Sequence, residues 1–319
     1  MKVGVVQLQI TLANVSRNLA RAAVSIEEAR QRGAELILLP EFFTSGIAFD
    51  HDILEVPQHQ TETRSMLIAW AKEFGIPVGG SFLTFDGNNA HNTFVLALPD
   101  GVTFDHQKDL PSMVENAFYA PGTDDGVFNT PWGRIGVALC WEMIRTQTIK
   151  RLMGRVDFVL AASCWWGHCL PYDSAAAEIQ LRNEQLLLEA PRELARLLEV
   201  PVIHASCVGH FKAGSLSHPH NLRLQRFLGR SQVLDSDGNP IAVLESEAGV
   251  LVSDLPLEEC RRRSRLPPSG YWALDLTEAH LLAWEKNAEL GKEYYRAVAL
   301  PYYVSFYRSN KSSDHDTLD

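Results

Sequence analysis

The chain has 319 residues, 46% of them hydrophobic and 21% charged, with a formal net charge of −10. This is globular composition with enough apolar side chains for a large core, which excludes a chain that is mainly disordered. The acidic balance, with one short basic cluster, RRRSR from Arg261, argues against nucleic acid and for a small-molecule partner.

After Met1 and Lys2 the sequence enters VGVVQLQI, which is too short and too soon polar for a signal peptide or a membrane span. A cytoplasmic protein with no membrane association is expected. Five cysteines at irregular spacing fit a reducing compartment better than a disulfide framework.

KVGVVQLQI reads as a strand. NVSRNLARAAVSIEEARQRGA follows as a helix with Leu19, Ala22, Ala23, Ile26 and Ala29 on one face and a stop at Gly33. ELILLPE is a nearly continuous apolar run, so the opening reads as a βαβ unit in a sheet covered by helices. TETRSMLIAWAKEFG predicts a helix with Leu67, Ile68 and Ala71 inward, and IPVGGSFLTF a strand. NTFVLALPDGVTFDHQK predicts a hairpin turning at Pro99, Asp100 and Gly101. GRIGVALCW and VDFVLAASCWW are two further buried strands flanking a helix around MIRTQTIKRLMG. A long helix, SAAAEIQLRNEQLLLEAPRELARLLE, is expected to bend or break at Pro191. VPVIHASCVG reads as a strand, and RFLGRSQVLDSDGNPIAVLESEAGVLVSDL as an antiparallel meander with its turn at DSDGNP.

No linker or internal repeat interrupts this alternation before about residue 264. The division is therefore one domain over 1–265 and an extension over 266–319. The extension is read as a helix, an aromatic-rich YYVSFY segment and a polar tail. Its aromatic surface would dock either on a neighbouring subunit or on its own domain.

Two apolar strands end in reactive groups: LILLP runs into Glu41 and IGVAL into Cys140. In open α/β sheets, ligands gather at the carboxyl ends of strands. A carboxylate directly after an apolar run must be paired or held partly protonated in a dry site. Between them, FDHQKDLPSMVENAFYAPG places Lys108 at a strand end and Glu115 shortly after. Taken singly, each has a bland reading: a loop carboxylate, a solvated lysine, a core thiol.

The ordered set LLPEFF, QKDLPSMVE and VALCWE resembles the nitrilase superfamily of carbon–nitrogen hydrolases, over roughly residues 1–265. The resemblance implies an α/β fold of the α-β-β-α four-layer sandwich type. It also implies Cys140 as nucleophile, Glu41 as general base, Lys108 as the positive group near the developing oxyanion, and Glu115 as the second glutamate that orients lysine and substrate. The chemistry gives each a reason. A thiol with a pKa near 8.5 needs a base during attack; a carboxylate in an apolar pocket can take that proton and return it to departing ammonia. A fixed ammonium, with a backbone N–H such as that of Trp141, stabilises the tetrahedral anion. No metal or organic cofactor is needed.

Trp141, Cys164, Trp165 and Trp166 are the candidate pocket residues. Cys164, His168 and Cys169 in SCWWGHC fit neither zinc nor haem spacing. His204, His210, His218 and His220 read as structural or surface groups, and the role of Glu142 stays open. The leading function is hydrolysis of a small non-peptide amide to acid and ammonia through a Cys thioester. Nitrile hydrolysis, N-carbamoyl amide hydrolysis and a catalytically silent interaction module are the alternatives. CWE favours a nitrilase; Met143, where nitrilases carry Asn, and LPEFF favour an amidase. A homodimer or larger homo-oligomer is expected from the family.

Overall fold

A computed structural model describes residues 1–169, 173–257 and 278–313. The first half of the chain contains β1 (Lys2–Gln9), α1 (Val15–Gln31), β2 (Leu36–Leu38), α2 (Gln60–Phe74), β3 (Val78–Phe85), β4 (Ala90–Ala97) and β5 (Thr103–Gln107). The second contains β6 (Val127–Thr130), β7 (Gly133–Leu139), α3 (Thr146–Leu152), β8 (Phe158–Ser163), β9 (Trp166–His168), α4 (Ser174–Leu198), β10 (Val202–Ser215), β11 (His218–Leu228), β12 (Gln232–Leu234) and β13 (Pro240–Val243). Then come β14 (Gly249–Asp254), α5 (Glu278–Tyr294) and α6 (Leu300–Ser313).

Two sheets result. One runs β14-β1-β2-β3-β4-β5 and the other β13-β12-β10-β8-β7-β6, each with parallel strands at its centre and antiparallel strands outside. Among the described residues they join only where β1 meets β10, at Leu8↔Cys207 and Gln9↔Val208. Strand alternation sends successive side chains to opposite faces, and here it sorts residues into layers. Val3, Val5, Leu36, Leu38, Ile135, Val137, Leu139, Phe158, Leu160, Ile203 and Ala205 share one buried cluster between the sheets. Val6, Leu8, Ile37 and Leu39 face Leu19, Ala22, Ile26 and Ala29 of α1 and Leu67 and Ala71 of α2. Ala138, Val159, Ala161 and Val202 face Ile149 and Leu152 of α3 and Leu186, Leu187, Ala190 and Leu194 of α4. The order of layers is α-β-β-α, as expected.

Two expectations are corrected, and a segment that carried no assignment gains one. The helix α4 does not break at Pro191 but is helical throughout from Ser174 to Leu198; the apolar stripe it buries on the sheet offsets the one backbone bond that proline cannot make. Strand β10 runs on to Ser215 and turns into β11, forming an antiparallel arm that also pairs with β9. The polar segment LSHPHNL hides this arm in the sequence. The YYVSFY segment is helical, within α6, after a π-helical turn at Tyr295–Ala299.

The described part of the extension packs on its own domain. The Tyr303 ring is buried and its hydroxyl donates to Phe118 O at 3.2 Å, while Tyr295 OH accepts from Ala90 N at 3.1 Å. Gly291 lets α5 approach closely, since a Cβ there would stand 2.7 Å from Asn116 Cβ. The expected boundary at 265/266 and the polar tail beyond Ser313 lie outside the described residues. Among the described residues no helix is long and apolar enough to cross a membrane.

Candidate active site

Past Leu39 and Pro40, the strand β2 delivers its chain to a turn over residues 41–45. Gly80 on β3 makes room, because a Cβ there would come within 2.8 Å of Leu39 Cβ and 2.9 Å of the Phe43 ring. Ser81 Oγ accepts the Phe42 N–H at 3.1 Å and pins the turn. Glu41 is thereby fully buried. Its Oε1 accepts from Lys108 Nζ at 2.9 Å and Asn92 Nδ2 at 2.8 Å, and its Oε2 has no hydrogen-bond partner. Burial pushes the carboxyl up, against the pull of Lys108 and with the push of Glu115, to about 7.

Lys108 leaves the end of β5, with its main-chain N–H on Asn92 O and its carbonyl accepting from Gly122 N. Its side chain is fully buried, so the solvated reading fails. Nζ donates to Glu41 at 2.9 Å and to Glu115 Oε2 at 2.8 Å. Burial would lower its pKa, but the two carboxylates outweigh that and hold the ammonium well above the ordinary lysine range. Glu115 sits in a short 3₁₀ turn, Met113–Ala117, capped by Ser112. Its Oε2 also takes the Ser112 N–H at 2.7 Å and the Tyr119 hydroxyl at 2.5 Å.

Cys140 follows β7 as the first residue of a 3₁₀ turn, Cys140–Ile144, and its φ is +53°. A non-glycine residue held in the left-handed region costs on the order of 1–3 kcal/mol and is kept only where the surroundings impose it. The thiol is buried. Burial and the Glu41 carboxylate push its pKa well up, while Lys108 and the Cys164 main chain pull it down. The thiol is therefore protonated at neutral pH and needs a base when it attacks. The Glu41, Glu115 and Cys140 ligand atoms lie within 4.8 Å of one another.

Those three side chains are also the one converging set of metal-binding groups among the described residues. Lys108 Nζ, bonded to both carboxylates, already supplies the cation at that spot. Cys164, His168 and Cys169 do not form such a set among the described residues; Trp166, Gly167 and His168 are paired in β9 instead.

Cys140 and Glu115 form part of the wall of a cavity of about 490 Å³. All four expected pocket residues, Trp141, Cys164, Trp165 and Trp166, line it as well. Trp141 meets Trp165 edge to face at 6.2 Å and Trp284 at 4.6 Å. Cys164 Sγ lies 3.4 Å from Cys207 Sγ. Sequence reading missed other parts of the wall, which come from the β10–β11 arm, including Arg223 and Gln225, from Gln180 and Asn183 of α4, and from Lys286, Asn287 and Leu290 of α5. It also missed Asn92 and Tyr119 behind the site. Their signal was weak: an Asn interrupting the apolar strand AHNTFVLA. Of the histidines, His204 is buried with Nε2 2.7 Å from Ser163 Oγ, His210 and His220 are exposed, and His218 stands on the outer cavity wall.

The carbon-nitrogen hydrolase family profile matches residues 2–265. An omega-amidase of Xenopus tropicalis is 35% identical over 257 residues, covering 76% of this chain and 84% of its own. A nitrilase of Pyrococcus abyssi is 27% identical over 60% of this chain and 75% of its own. Among solved structures, an amidase of Nesterenkonia sp. AN1 with acrylamide added at its active-site cysteine superposes with a TM-score of 0.63. It is 20% identical over 83% of this chain and 96% of that one, which bears on the fold. The chain belongs to the carbon-nitrogen hydrolase family.

Proposed function

We propose that the protein hydrolyses a small primary amide to a carboxylic acid and ammonia through a thioester on Cys140. The observation that carries this reading is a thiol at the cavity wall beside a fully buried Glu41–Lys108–Glu115 cluster, with Glu41 Oε2 unpartnered and pushed up to about 7. Cys140 Sγ attacks the carbonyl carbon as its proton passes to Glu41. The C–S bond forms and the oxygen becomes an anion, which Lys108 and the Trp141 main-chain N–H stabilise. Collapse breaks the C–N bond as Glu41 returns the proton, and ammonia leaves. Water, activated by Glu41, then adds to the thioester, and its breakdown gives the acid and the free thiol. Glu115 holds Lys108 and faces the substrate.

Trp141, Cys164, Trp165 and Trp166 bound the acyl group. Trp165 Nε1 is a buried donor without a partner, and Gln180 and Arg223 lie further along the wall. This supports an amide whose other end is polar, in keeping with the omega-amidase relative. Leu181 and Leu282, about 60% exposed, are among the apolar side chains that a homo-oligomer contact could cover; size-exclusion chromatography with light scattering tests that assembly.

Matched amide and nitrile pairs, with ammonia quantified, test the activity. Release from the amides, with an acyl adduct on Cys140 in the intact mass and none in Cys140→Ala, is expected. Release from the nitriles alone overturns the order in favour of a nitrilase, and release from neither, with no adduct, favours the silent module.

A further inference from the structure

Lys108 and Cys140 stand at strand ends in different sheets, β5 in one and β7 in the other. The sheets meet through apolar side chains. Such contact is non-directional and does not by itself hold an ammonium and a thiol in register. One buried carboxylate spans the two. Glu142, two residues after the nucleophile and 0% exposed, accepts the Leu139 N–H on Oε2 at 2.7 Å and the Asp109 N–H on Oε1 at 2.9 Å. These are the main-chain groups immediately before Cys140 and immediately after Lys108.

The carboxylate is itself held. His106 Nε2 lies 3.1 Å from Oε2, and Arg151 Nη2 donates to it at 3.2 Å. On its other side His106 Nδ1 meets Asp124 Oδ1 at 2.5 Å, and Asp124 also accepts from Gln107 N at 2.8 Å and Gly126 N at 2.9 Å. Arg145, at the end of the cysteine turn, pairs with Asp109 and adds a second tie between the same two segments. Burial would push Glu142 up, yet the His106 and Arg151 charges hold it well below the usual range; burial would lower His106, yet Glu142 and Asp124 raise it to about 9. None of these groups is part of the cavity wall.

We propose that Glu142 is a positioning residue, whose carboxylate ties the main chain at Leu139 to that at Asp109 and so sets Cys140 against Lys108 across the two sheets. This rests on the reading of Cys140 and Lys108 as the reacting pair. Both Glu142 oxygens are needed as acceptors. A glutamine keeps the shape but turns an NH₂ toward one of the two N–H groups, leaves Arg151 without its paired carboxylate and leaves His106 with Asp124 alone. An aspartate keeps the charge but is one methylene too short to reach both.

Glu142→Gln, Glu142→Asp and Cys140→Ala are compared with the parent protein on an amide that the parent hydrolyses. The readouts are kcat, KM and the rate of Cys140 alkylation by iodoacetamide, all per folded protein. Displacement of a reacting group by about 1 Å costs on the order of 10²-fold. Glu142→Gln is expected to lose about that factor in kcat and a comparable factor in alkylation rate, with KM within about threefold; Glu142→Asp falls between. A folded Glu142→Gln protein with parental kcat and alkylation rate, and only a lower melting temperature, overturns the proposal, as does a rise in KM alone. Activity retained in Cys140→Ala would instead sink the thioester reading. Should Glu142→Gln not fold, Asp124→Asn carries the test one link outward: a kcat loss of about three- to tenfold at steady KM is expected, and unchanged kcat overturns the proposal.

Discussion

The base at the centre of the site can be retuned without touching it. Asn92 Nδ2 donates to Glu41 Oε1 at 2.8 Å inside a fully buried site, while Asn92 Oδ1 has no partner. Asn92→Leu therefore deletes one donor to the carboxylate and little else; the main-chain carbonyl that accepts from Lys108 N remains. A hydrogen bond to a charged group contributes about 1.5–3 kcal/mol, and one pKa unit corresponds to about 1.4 kcal/mol. The loss should thus raise the Glu41 pKa by about one to two units from its position near 7. The base must be ionised to accept the thiol proton, so the acid limb of kcat/KM moves to higher pH by that amount. At pH 7 the variant should be about five- to fiftyfold slower, and by pH 10 the two proteins should converge. Initial rates of ammonia release from pH 5 to 10 measure the limb. A limb that stays in place, or a loss equal at every pH, would refute Glu41 as the titrating base.

Lys108→Met removes the cation between two buried carboxylates, and kcat should fall by on the order of 10²–10³-fold with the protein still folded at low pH, where Glu41 is neutral; steady-state rates and circular dichroism at pH 5 and 8 check this. Glu41 titrates near 7 in the fold against 4.5 ordinarily, so between those values the folded state keeps a proton that the unfolded chain has lost. Its contribution is favourable at low pH and is lost as pH rises to 7, by about 2–3 kcal/mol. Urea melts at pH 5 and 8 should show Glu41→Gln gaining about that much relative to the parent between the two pH values. Tyr303→Ala, which empties a buried site between α6 and Phe118, should cost about 3–5 kcal/mol in the same melts; a loss under 1 kcal/mol would show that the extension is not part of the core.

Hydrophobic periodicity is local, so the sequence by itself determined the alternation of strands and helices and the strand ends at Glu41, Lys108 and Cys140, while the family resemblance pointed to Trp141, Cys164, Trp165 and Trp166, which line the cavity. What it could not determine depends on partners far away along the chain. Glu41 finds Asn92 51 residues on and Lys108 67 residues on. Glu142, whose spacing left its role open, acquires one only when β5 and β7 bring Asp109 and Leu139 to its two oxygens. The unbroken α4 across Pro191 and the β10–β11 arm went the same way. In both, burial against a surface from elsewhere in the chain overrode a local signal: a proline, a polar stretch. Local chemistry wrote which groups could react; the meeting of the two sheets decided which of them are held together, because hydrogen-bond geometry between distant segments exists only once the core has packed.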